Sequence, residues 1–313
     1  MNIWKSGIMG VVVGDALGCP VQFESREEVA RHPITGMRGY GTFSLPAGSW
    51  TDDSSLTLAL LESIRRKGGI DYPDIMDNFV KWLDDGEFTP YGYSYDIGRG
   101  TMTAINRYKR CHKPHKAGNI DERSNGNGSL MRIMPAVLYC CDSGLPAGES
   151  IDIIHKVGGL THAHIRSNIA CGLYYFMASA ILNGDGTLTD RLQVGLNTGV
   201  EFYEQYLADH ENLEYYDRLH DLGTFAALPE DKIQSSGYVV DALEAAVWSL
   251  VNTDSFEDAL LKAVNLGDDT DTVGAIAGGL AGLFYGYNDI PEDWLAAIQR
   301  REWIEGLCAG NND

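Results

Sequence analysis

The chain has 313 residues, 44% of them hydrophobic, which is enough to bury a full core. Its 44 acidic residues outnumber 24 basic ones and give a formal net charge of -20. This charge argues against nucleic acid and anionic membranes as partners, because both require a basic face. No linker, internal repeat or low-complexity block divides the sequence, so we predict a single domain over residues 1–313.

The N-terminal segment imitates a lipoprotein signal, with an apolar stretch at residues 8–13 ahead of Cys19. Asp15 interrupts the apolar region and Ala16 stands where a leucine is expected, so we predict no processing. The longest weakly polar run, residues 273–286, is too short to span a bilayer. The six cysteines include no CxxC pair, which favours a reducing compartment. With the features above, this predicts a soluble protein of the cytoplasm.

Helical periodicity dominates from about residue 54 onward, because apolar residues recur there at spacings of three and four. The clearest recurrences cover residues 56–64, 75–83, 169–180 and 243–250. Residues 273–284 are apolar on nearly every face and rich in Gly and Ala, which indicates a central helix closely packed by its neighbours. Strand-like alternation is almost absent, so we predict an all-α, multi-helix globule.

Two acidic motifs precede predicted helices. Each motif carries at least two carboxylates within three residues, whereas capping a helix requires only one such residue. Packing them together in the interior would be costly without a cation. Carboxylate and hydroxyl ligands suit Mg²⁺, Mn²⁺ or Ca²⁺, and two clusters could hold two ions about 3.5–4 Å apart. The residues concerned are Thr51, Asp52 and Asp53 in the first motif, and Asp269, Asp271 and Thr272 in the second.

A glycine-rich segment at residues 124–132 precedes an apolar stretch and could turn successive N–H groups towards a phosphate. An ordinary Asn-Gly turn is the alternative. Gly100, in Gly98-Arg99-Gly100-Thr101, belongs to a similar, shorter candidate. His162 and His164 alternate just before a helix, where a core or capping histidine is commoner than a metal ligand.

The order of these motifs resembles the ADP-ribosylglycohydrolase family, which includes dinitrogenase reductase-activating glycohydrolase and the arginine-ADP-ribose hydrolases. The resemblance covers nearly the whole chain. The motifs that carry it are Gly14-Asp15-Ala16-Leu17-Gly18, Trp50-Thr51-Asp52-Asp53, Gly126-Asn127-Gly128-Ser129-Leu130-Met131-Arg132, Thr161-His162 and Gly267-Asp268-Asp269-Thr270-Asp271-Thr272.

The resemblance implies an orthogonal all-α fold with two Mg²⁺ or Mn²⁺ ions and a cleft for ADP-ribose. The two acidic motifs would supply the metal ligands. His162 would flank the ligand without touching metal, and Tyr238 is a candidate for stacking on adenine or, equally, a core tyrosine. The residues expected at the diphosphate and adjoining ribose are Ser124, Gly126, Asn127, Gly128 and Ser129 of the glycine-rich segment, with Gly100 as a further candidate.

The implied mechanism has water, made more acidic by the metals, attack the anomeric carbon. Asp52 or Asp53 would accept its proton, and Asp96 would pair with a guanidinium leaving group unless it is an ordinary surface aspartate near a turn. Many family members have Glu where this chain has Gln22, which cannot accept a proton at neutral pH. Glu24 is the candidate substitute, because it would share a face with Gln22 in an extended segment.

We therefore expect a hydrolase that releases ADP-ribose from a modified protein, with arginine as the default acceptor, or from a small molecule containing ADP-ribose. Two alternatives stay open at this point. One is a non-catalytic, crystallin-like protein that binds ADP-ribose. The other is a different two-metal hydrolase acting on phosphate esters or nucleotides.

Overall fold

All regular secondary structure in the computed structural model, which describes residues 2–208 and 210–309, is helical. The all-α prediction is therefore confirmed. The α-helices are α1 (Ile3–Gly18), α2 (Arg26–Arg31), α3 (Asp52–Lys67), α4 (Tyr72–Asp85), α5 (Arg99–Cys111), α6 (Met134–Asp142), α7 (Ala147–Gly158), α8 (Ile165–Asn183), α9 (Leu188–Tyr206), α10 (Leu222–Ala226), α11 (Val239–Val251), α12 (Phe256–Val264), α13 (Thr270–Tyr285), α14 (Glu292–Ala297) and α15 (Arg301–Ala309).

Helices α1 and α13 form the centre of the molecule and touch through their backbones. A Cβ added at Gly10 would lie 2.0 Å from the carbonyl oxygen of Gly278, and one added at Gly14 would lie 2.0 Å from that of Gly274. Only glycine permits this approach. The close packing brings the end of α1 against the start of α13, where the second acidic motif lies.

The predicted helices correspond to α3, α4, α8, α11 and α13, and residues 270–283 of α13 are buried as expected. Helix α1 lies before residue 54, ahead of the region in which helical periodicity dominates the sequence. This helix is buried from residue 6 to residue 18, so it shows no division into apolar and polar faces. Its first turn is capped by Asn2, whose side chain accepts a hydrogen bond from the Lys5 backbone N–H at 3.0 Å.

Buried apolar side chains form one contiguous cluster that draws on helices from both ends of the chain. All six cysteines are free thiols. In residues 2–208 and 210–309, no helix combines the length and apolar composition that crossing a bilayer requires.

Candidate active site

A cleft of about 260 Å³ lies where the starts of α3, α5 and α13 meet four connecting segments. Its lining comes from parts of the chain that are far apart in sequence. The lining residues are Gln22, Phe23, Asp52, Asp53, Asp96, Gly98, Arg99, Gly100, Thr101, Gly126, Asn127, Gly128, Met131, His162, Gly237, Asp269 and Thr272.

The two acidic motifs meet at this cleft. The Thr51 hydroxyl lies 3.3 Å from Asp53 Oδ2 and 3.2 Å from Asp271 Oδ2. Thr272 Oγ1 donates to Asp53 Oδ2 at 3.4 Å. We call these six residues, 51–53 with Asp269, Asp271 and Thr272, the acidic wall. Thr51 and Asp271 lie behind the cleft surface, whereas the other four line it.

Capping does not explain the acidic motifs. Thr51 and Asp269 occupy the N-cap positions of α3 and α13, yet neither side chain makes a capping hydrogen bond. Asp269 Oδ2 instead accepts a hydrogen bond of 2.7 Å from Asn127 Nδ2, which ties the second motif to the glycine-rich segment.

The sequence did not reveal the role of Asp15, which joins α1 to the first motif. Its carboxylate accepts hydrogen bonds from the backbone N–H groups of Thr51 at 3.0 Å and Ser54 at 2.9 Å, and from both hydroxyls. Burial raises the pKa of Asp15 to about 7, although these hydrogen bonds lower it. A lone aspartate inside an apolar helix was the available signal.

Burial also raises the pKa of Asp52, Asp53 and Asp271 well above the usual range, and neighbouring carboxylates raise it further. Asp53 Oδ1 is buried and has no hydrogen-bond partner among the described residues, and the same holds for Gln22 Oε1. An all-oxygen donor set with unpaired buried oxygens fits hard cations such as Mg²⁺ and Mn²⁺.

In the described residues, no three His, Cys, Asp or Glu side chains already converge as metal ligands. The carboxylates share hydroxyl partners, as at Thr51, instead of surrounding a common point.

Next to the acidic wall, three glycines surround the His162 ring. A Cβ added at Gly100 would lie 2.8 Å from Nε2, one at Gly126 would lie 3.4 Å away, and one at Gly128 would lie 2.7 Å from Cε1. We call these glycines with His162 the glycine wall. Burial lowers the pKa of His162 to about 3, and the charge of Arg132 lowers it further, so the ring is neutral.

Three residues expected at the ligand lie outside this cleft. Ser124 bonds to Asp121 Oδ2 at 2.8 Å, and Ser129 is fully buried beside Cys171. Tyr238 lines a neighbouring cavity of about 310 Å³, which shares Gly126 and Gly237 with the cleft. The Tyr238 hydroxyl accepts a hydrogen bond of 3.2 Å from Arg166. Its stacking on adenine stays a prediction.

The segment around Gln22 is not extended, so the premise for Glu24 is wrong. Phe23 has a φ of 69°, and the Glu24 N–H turns back to the Val21 carbonyl at 3.0 Å. Gln22 and Phe23 therefore line the cleft and Glu24 does not. The reversal of direction at Phe23 could not be read from residue spacing.

Asp96 is not an ordinary surface aspartate, because it lines the cleft and has a φ of 52°. Burial raises the pKa of its carboxyl, while hydrogen bonds with Gln22 and Asp271 lower it. Its position beside the acidic wall is compatible with contact to a cationic leaving group.

A row of aromatic rings leads away from this edge of the cleft. Ring centroids are 6.5 Å apart for Phe23 and Phe43, 5.5 Å for Phe43 and Tyr95, 5.9 Å for Tyr95 and Tyr93, and 6.2 Å for Tyr93 and Tyr91. Phe23 is 66% exposed and Tyr93 is 51% exposed. Aromatic faces are thus open to solvent next to Asp96.

Comparison with known proteins identifies the family. The model of the ADP-ribosylglycohydrolase family matches residues 4–311. An ADP-ribosylarginine hydrolase, Tri1, of Serratia proteamaculans is 33% identical over 305 residues, covering 97% of this chain and 77% of its own. The ADP-ribosyl-[dinitrogen reductase] glycohydrolase of Rhodospirillum rubrum is 31% identical over 295 residues, covering 94% and 89%.

The fold agrees with this relationship. A chain of a solved ADP-ribosylglycohydrolase-related protein complex superposes with a TM-score of 0.79 at 31% identity, covering 98% of this chain and 95% of its own. The five motifs that suggested the resemblance thus lie in a chain that matches the family along nearly its whole length. This chain belongs to the ADP-ribosylglycohydrolase family.

Proposed function

We propose that this ADP-ribosylglycohydrolase cleaves the glycosidic bond between ADP-ribose and an arginine side chain of a modified protein, and that it uses two divalent cations, Mg²⁺ or Mn²⁺. Family membership supports the glycohydrolase activity. The names of the relatives in Serratia and Rhodospirillum support a protein substrate, and the Serratia name supports arginine.

The observation that carries the metal proposal is the acidic wall. Burial and mutual repulsion raise the pKa values of its carboxyls, so the site as it stands disfavours the ionised forms. Two cations would remove this penalty, with Asp52, Asp53, Asp269 and Thr272 at the cleft surface and Thr51 and Asp271 behind them. When bound, the cations supply positive charge and make water more acidic.

The protein's own groups account for the remaining steps. Asp52 and Asp53 lie at the cleft surface, where an ionised carboxylate can accept a proton from the attacking water. Gln22 cannot do so, because its amide carries no basic group. The carboxylates also stabilise the positive charge that develops at the anomeric carbon.

The acceptor proposal rests on the edge of the cleft that carries Asp96 and Phe23. A carboxylate forms strong hydrogen bonds with a guanidinium, and an aromatic face attracts a cation. Both groups line the cleft at the acidic wall. An arginine leaving group would therefore depart past Asp96 and the exposed ring of Phe23.

The test incubates the protein with Mg²⁺ or Mn²⁺ and substrates carrying ADP-ribose on arginine, on serine or on a nucleic-acid base. Chromatography then measures the ADP-ribose released from each. We expect release from the arginine-linked substrate. An Asp269→Asn, Asp271→Asn variant should be inactive, and Asp268→Asn is the matched control because Asp268 is exposed and lies outside the cleft.

Other outcomes would favour the alternatives. Tight binding of ADP-ribose without release from any substrate would indicate a binding protein. Release of inorganic phosphate or a mononucleotide in place of ADP-ribose would indicate a different two-metal hydrolase. Equal release by wild type and the double variant would contradict a role of the acidic wall in the reaction.

A further inference from the structure

Behind His162 lies a guanidinium that no carboxylate of the described residues pairs with. Arg132 is fully buried, and its Nη2 donates to Thr161 Oγ1 at 2.6 Å and reaches the Gly158 carbonyl at 3.5 Å. Its charge centre lies 4.8 Å from the Phe79 ring centroid. Its Nε and Nη1 have no hydrogen-bond partner among the described residues. Burying a charge in this way is costly, which argues for a role beyond packing.

The hydrogen bonds continue from Thr161 to the imidazole. Thr161 Oγ1 lies 2.9 Å from His162 Nδ1. A threonine hydroxyl has one hydrogen to donate, and arginine has no acceptor to receive it. Within the described residues, Nδ1 is the acceptor left for this hydrogen. With the lone pair on Nδ1 and the proton on Nε2, all of these hydrogen bonds are made, whereas a proton on Nδ1 would leave the hydroxyl hydrogen without an acceptor among the described residues.

The charge of Arg132 acts in the same direction. A cation behind the Thr161 hydroxyl disfavours a proton on the nearer ring nitrogen, Nδ1. Burial lowers the pKa of His162 to about 3, so the ring is neutral near pH 7 and only one of its nitrogens carries a proton. The hydrogen-bond chain decides which one.

Nε2 points into the cleft, between Gly100, Gly126 and Gly128. We infer that Arg132 and Thr161 are positioning residues that hold His162 as the Nε2–H tautomer, so that it donates a hydrogen bond to an oxygen of bound ADP-ribose. The identity of the ligand rests on the proposed function, whereas the tautomer does not. The opposite tautomer would direct a lone pair at a phosphate or ribose oxygen and repel it.

The first experiment observes the tautomer directly in the full-length, metal-free protein. Nitrogen NMR of ¹⁵N-histidine-labelled protein near pH 7 should show a pyrrole-type Nε2 and a pyridine-type Nδ1 for His162, with His162→Asn providing the assignment. Thr161→Val removes the hydroxyl at nearly constant volume and should raise the population of the Nδ1–H form. Thr161→Ser keeps the hydroxyl and should restore the wild-type spectrum.

The second experiment measures the consequence for binding. Thr161→Val should raise the Kd for ADP-ribose about ten-fold, the expected loss for a hydrogen bond to a charged acceptor. The same variant should raise KM with little change in kcat, because the hydrogen bond forms in ground and transition states alike. Thr161→Ser should recover both constants. A purely structural role of the hydroxyl would not predict that the tautomer changes together with them.

The role of Arg132 is tested by comparing two variants. Arg132→Lys keeps a positively charged hydrogen-bond donor, whereas Arg132→Met removes it. Only the methionine variant should shift the tautomer. If Arg132→Met fails to fold, the Thr161 variants still decide the matter. A proton on Nδ1 in the wild type would overturn the inference, and so would a Thr161→Val variant with an unchanged tautomer and an unchanged Kd.

The outcomes separate this inference from the proposed function. A wild type that binds ADP-ribose through an Nε2–H histidine but hydrolyses no substrate would refute the proposed reaction and support the inference. A wild type with the expected tautomer that does not bind ADP-ribose would overturn the donor role of His162.

Discussion

The acidic wall and the glycine wall line the same cleft, but they differ in what their polar atoms need. In the acidic wall, like charges meet and Asp53 Oδ1 is buried with no hydrogen-bond donor in the part of the chain that the structure describes. In the glycine wall, a neutral His162 already receives a hydrogen bond through Thr161 and Arg132. In one wall a bound cation would favour the ionised carboxylates, whereas the other wall is arranged before any ligand binds.

This difference suggests a division of labour. Groups that are poorly satisfied without a ligand often lie at reaction centres, because a ligand that relieves the penalty binds tightly. Groups that are already oriented contribute to recognition without a reorganisation cost. We therefore expect substitutions in the acidic wall to affect the reaction and metal binding, and substitutions in the glycine wall to affect ADP-ribose affinity.

The largest expected effect is that of Asp53→Asn. If Asp53 is a metal ligand, as proposed, the glycohydrolase activity should fall about a hundred-fold or more, because its loss would remove several kcal/mol of transition-state stabilisation. In EDTA, the same variant should melt at a higher temperature than the wild type, since it removes a buried carboxylate whose pKa is raised. Asp268→Asn is the control for both measurements. An active or less stable Asp53→Asn variant would contradict the description of this wall.

The second expected effect is a difference between the two walls in how their titratable groups change the free energy of unfolding with pH. The folded-state pKa of His162, about 3, lies below the ordinary 6.5, so the unfolded state takes up a proton first as the pH falls. The contribution of the neutral His162 ring to the free energy of unfolding is thus complete above about pH 6.5 and is lost as the pH falls towards 3. Raised pKa values in the metal-free acidic wall act oppositely, because there the folded state takes up protons first.

Urea unfolding of wild type and His162→Asn in EDTA, at about pH 7 and about pH 4, measures this contribution. The loss of stability on acidification should be about 3 kcal/mol smaller in the variant, since each pKa unit is worth about 1.4 kcal/mol. Identical acidification losses in the two proteins would show that His162 is not held neutral by burial.

Metal binding should appear as thermal stabilisation. Mn²⁺ at about 100 times its Kd adds about 2.7 kcal/mol, which for a chain of this length raises the melting temperature by roughly 4 °C. EDTA should reverse the shift, Asp271→Asn should abolish it, and Gly128→Ala should retain it. A melting temperature that is the same in Mn²⁺ and in EDTA would mean that the acidic wall holds no ion.

Gly128→Ala tests the glycine wall with a smaller effect. The new Cβ would meet His162 Cε1 at 2.7 Å, so the ring must move and its Nε2 loses its direction. We expect ADP-ribose affinity to fall about ten-fold, the loss expected for a hydrogen bond to a charged group. Gly306→Ala in α15 is the control, because no atom of residues 2–208 and 210–309 lies within 4 Å of its added Cβ. Calorimetric titration with ADP-ribose would measure both variants.

The acidic wall could be predicted from the sequence because its chemistry is local. Asp52 and Asp53 are adjacent, Asp269 and Asp271 are two apart, and both pairs begin helices whose apolar patterns are clear. The all-α fold followed from the same patterns. Helix α1 could not be read in this way, because a helix buried on all sides has no periodicity to detect.

The arrangement around His162 depends on contacts between distant residues. Thr161 and His162 were visible as a motif, but the hydrogen bond from Arg132 spans 29 positions and leaves no mark in local spacing. The reversal at Phe23 is equally hidden, since a positive φ at a phenylalanine is not favoured by its own chemistry. The sequence indicated Asp96 as a candidate, but its position in the cleft depends on a positive φ of its own, which the sequence did not indicate.

The smallest expected effect concerns Phe23, at the edge where the acidic wall meets the aromatic row. If an arginine acceptor leaves past this ring, Phe23→Ala should raise KM for an arginine-linked protein substrate by a few-fold, because a cation–π contact at an exposed site is worth about 0.5–1 kcal/mol. Affinity for free ADP-ribose should stay unchanged, since that molecule lacks the acceptor. Phe23→Tyr keeps the aromatic face and should behave like the wild type. A Phe23→Ala variant that weakens the binding of free ADP-ribose and of the protein substrate equally would show that this ring contacts ADP-ribose. The proposed division between the two walls would then be wrong at this edge of the cleft.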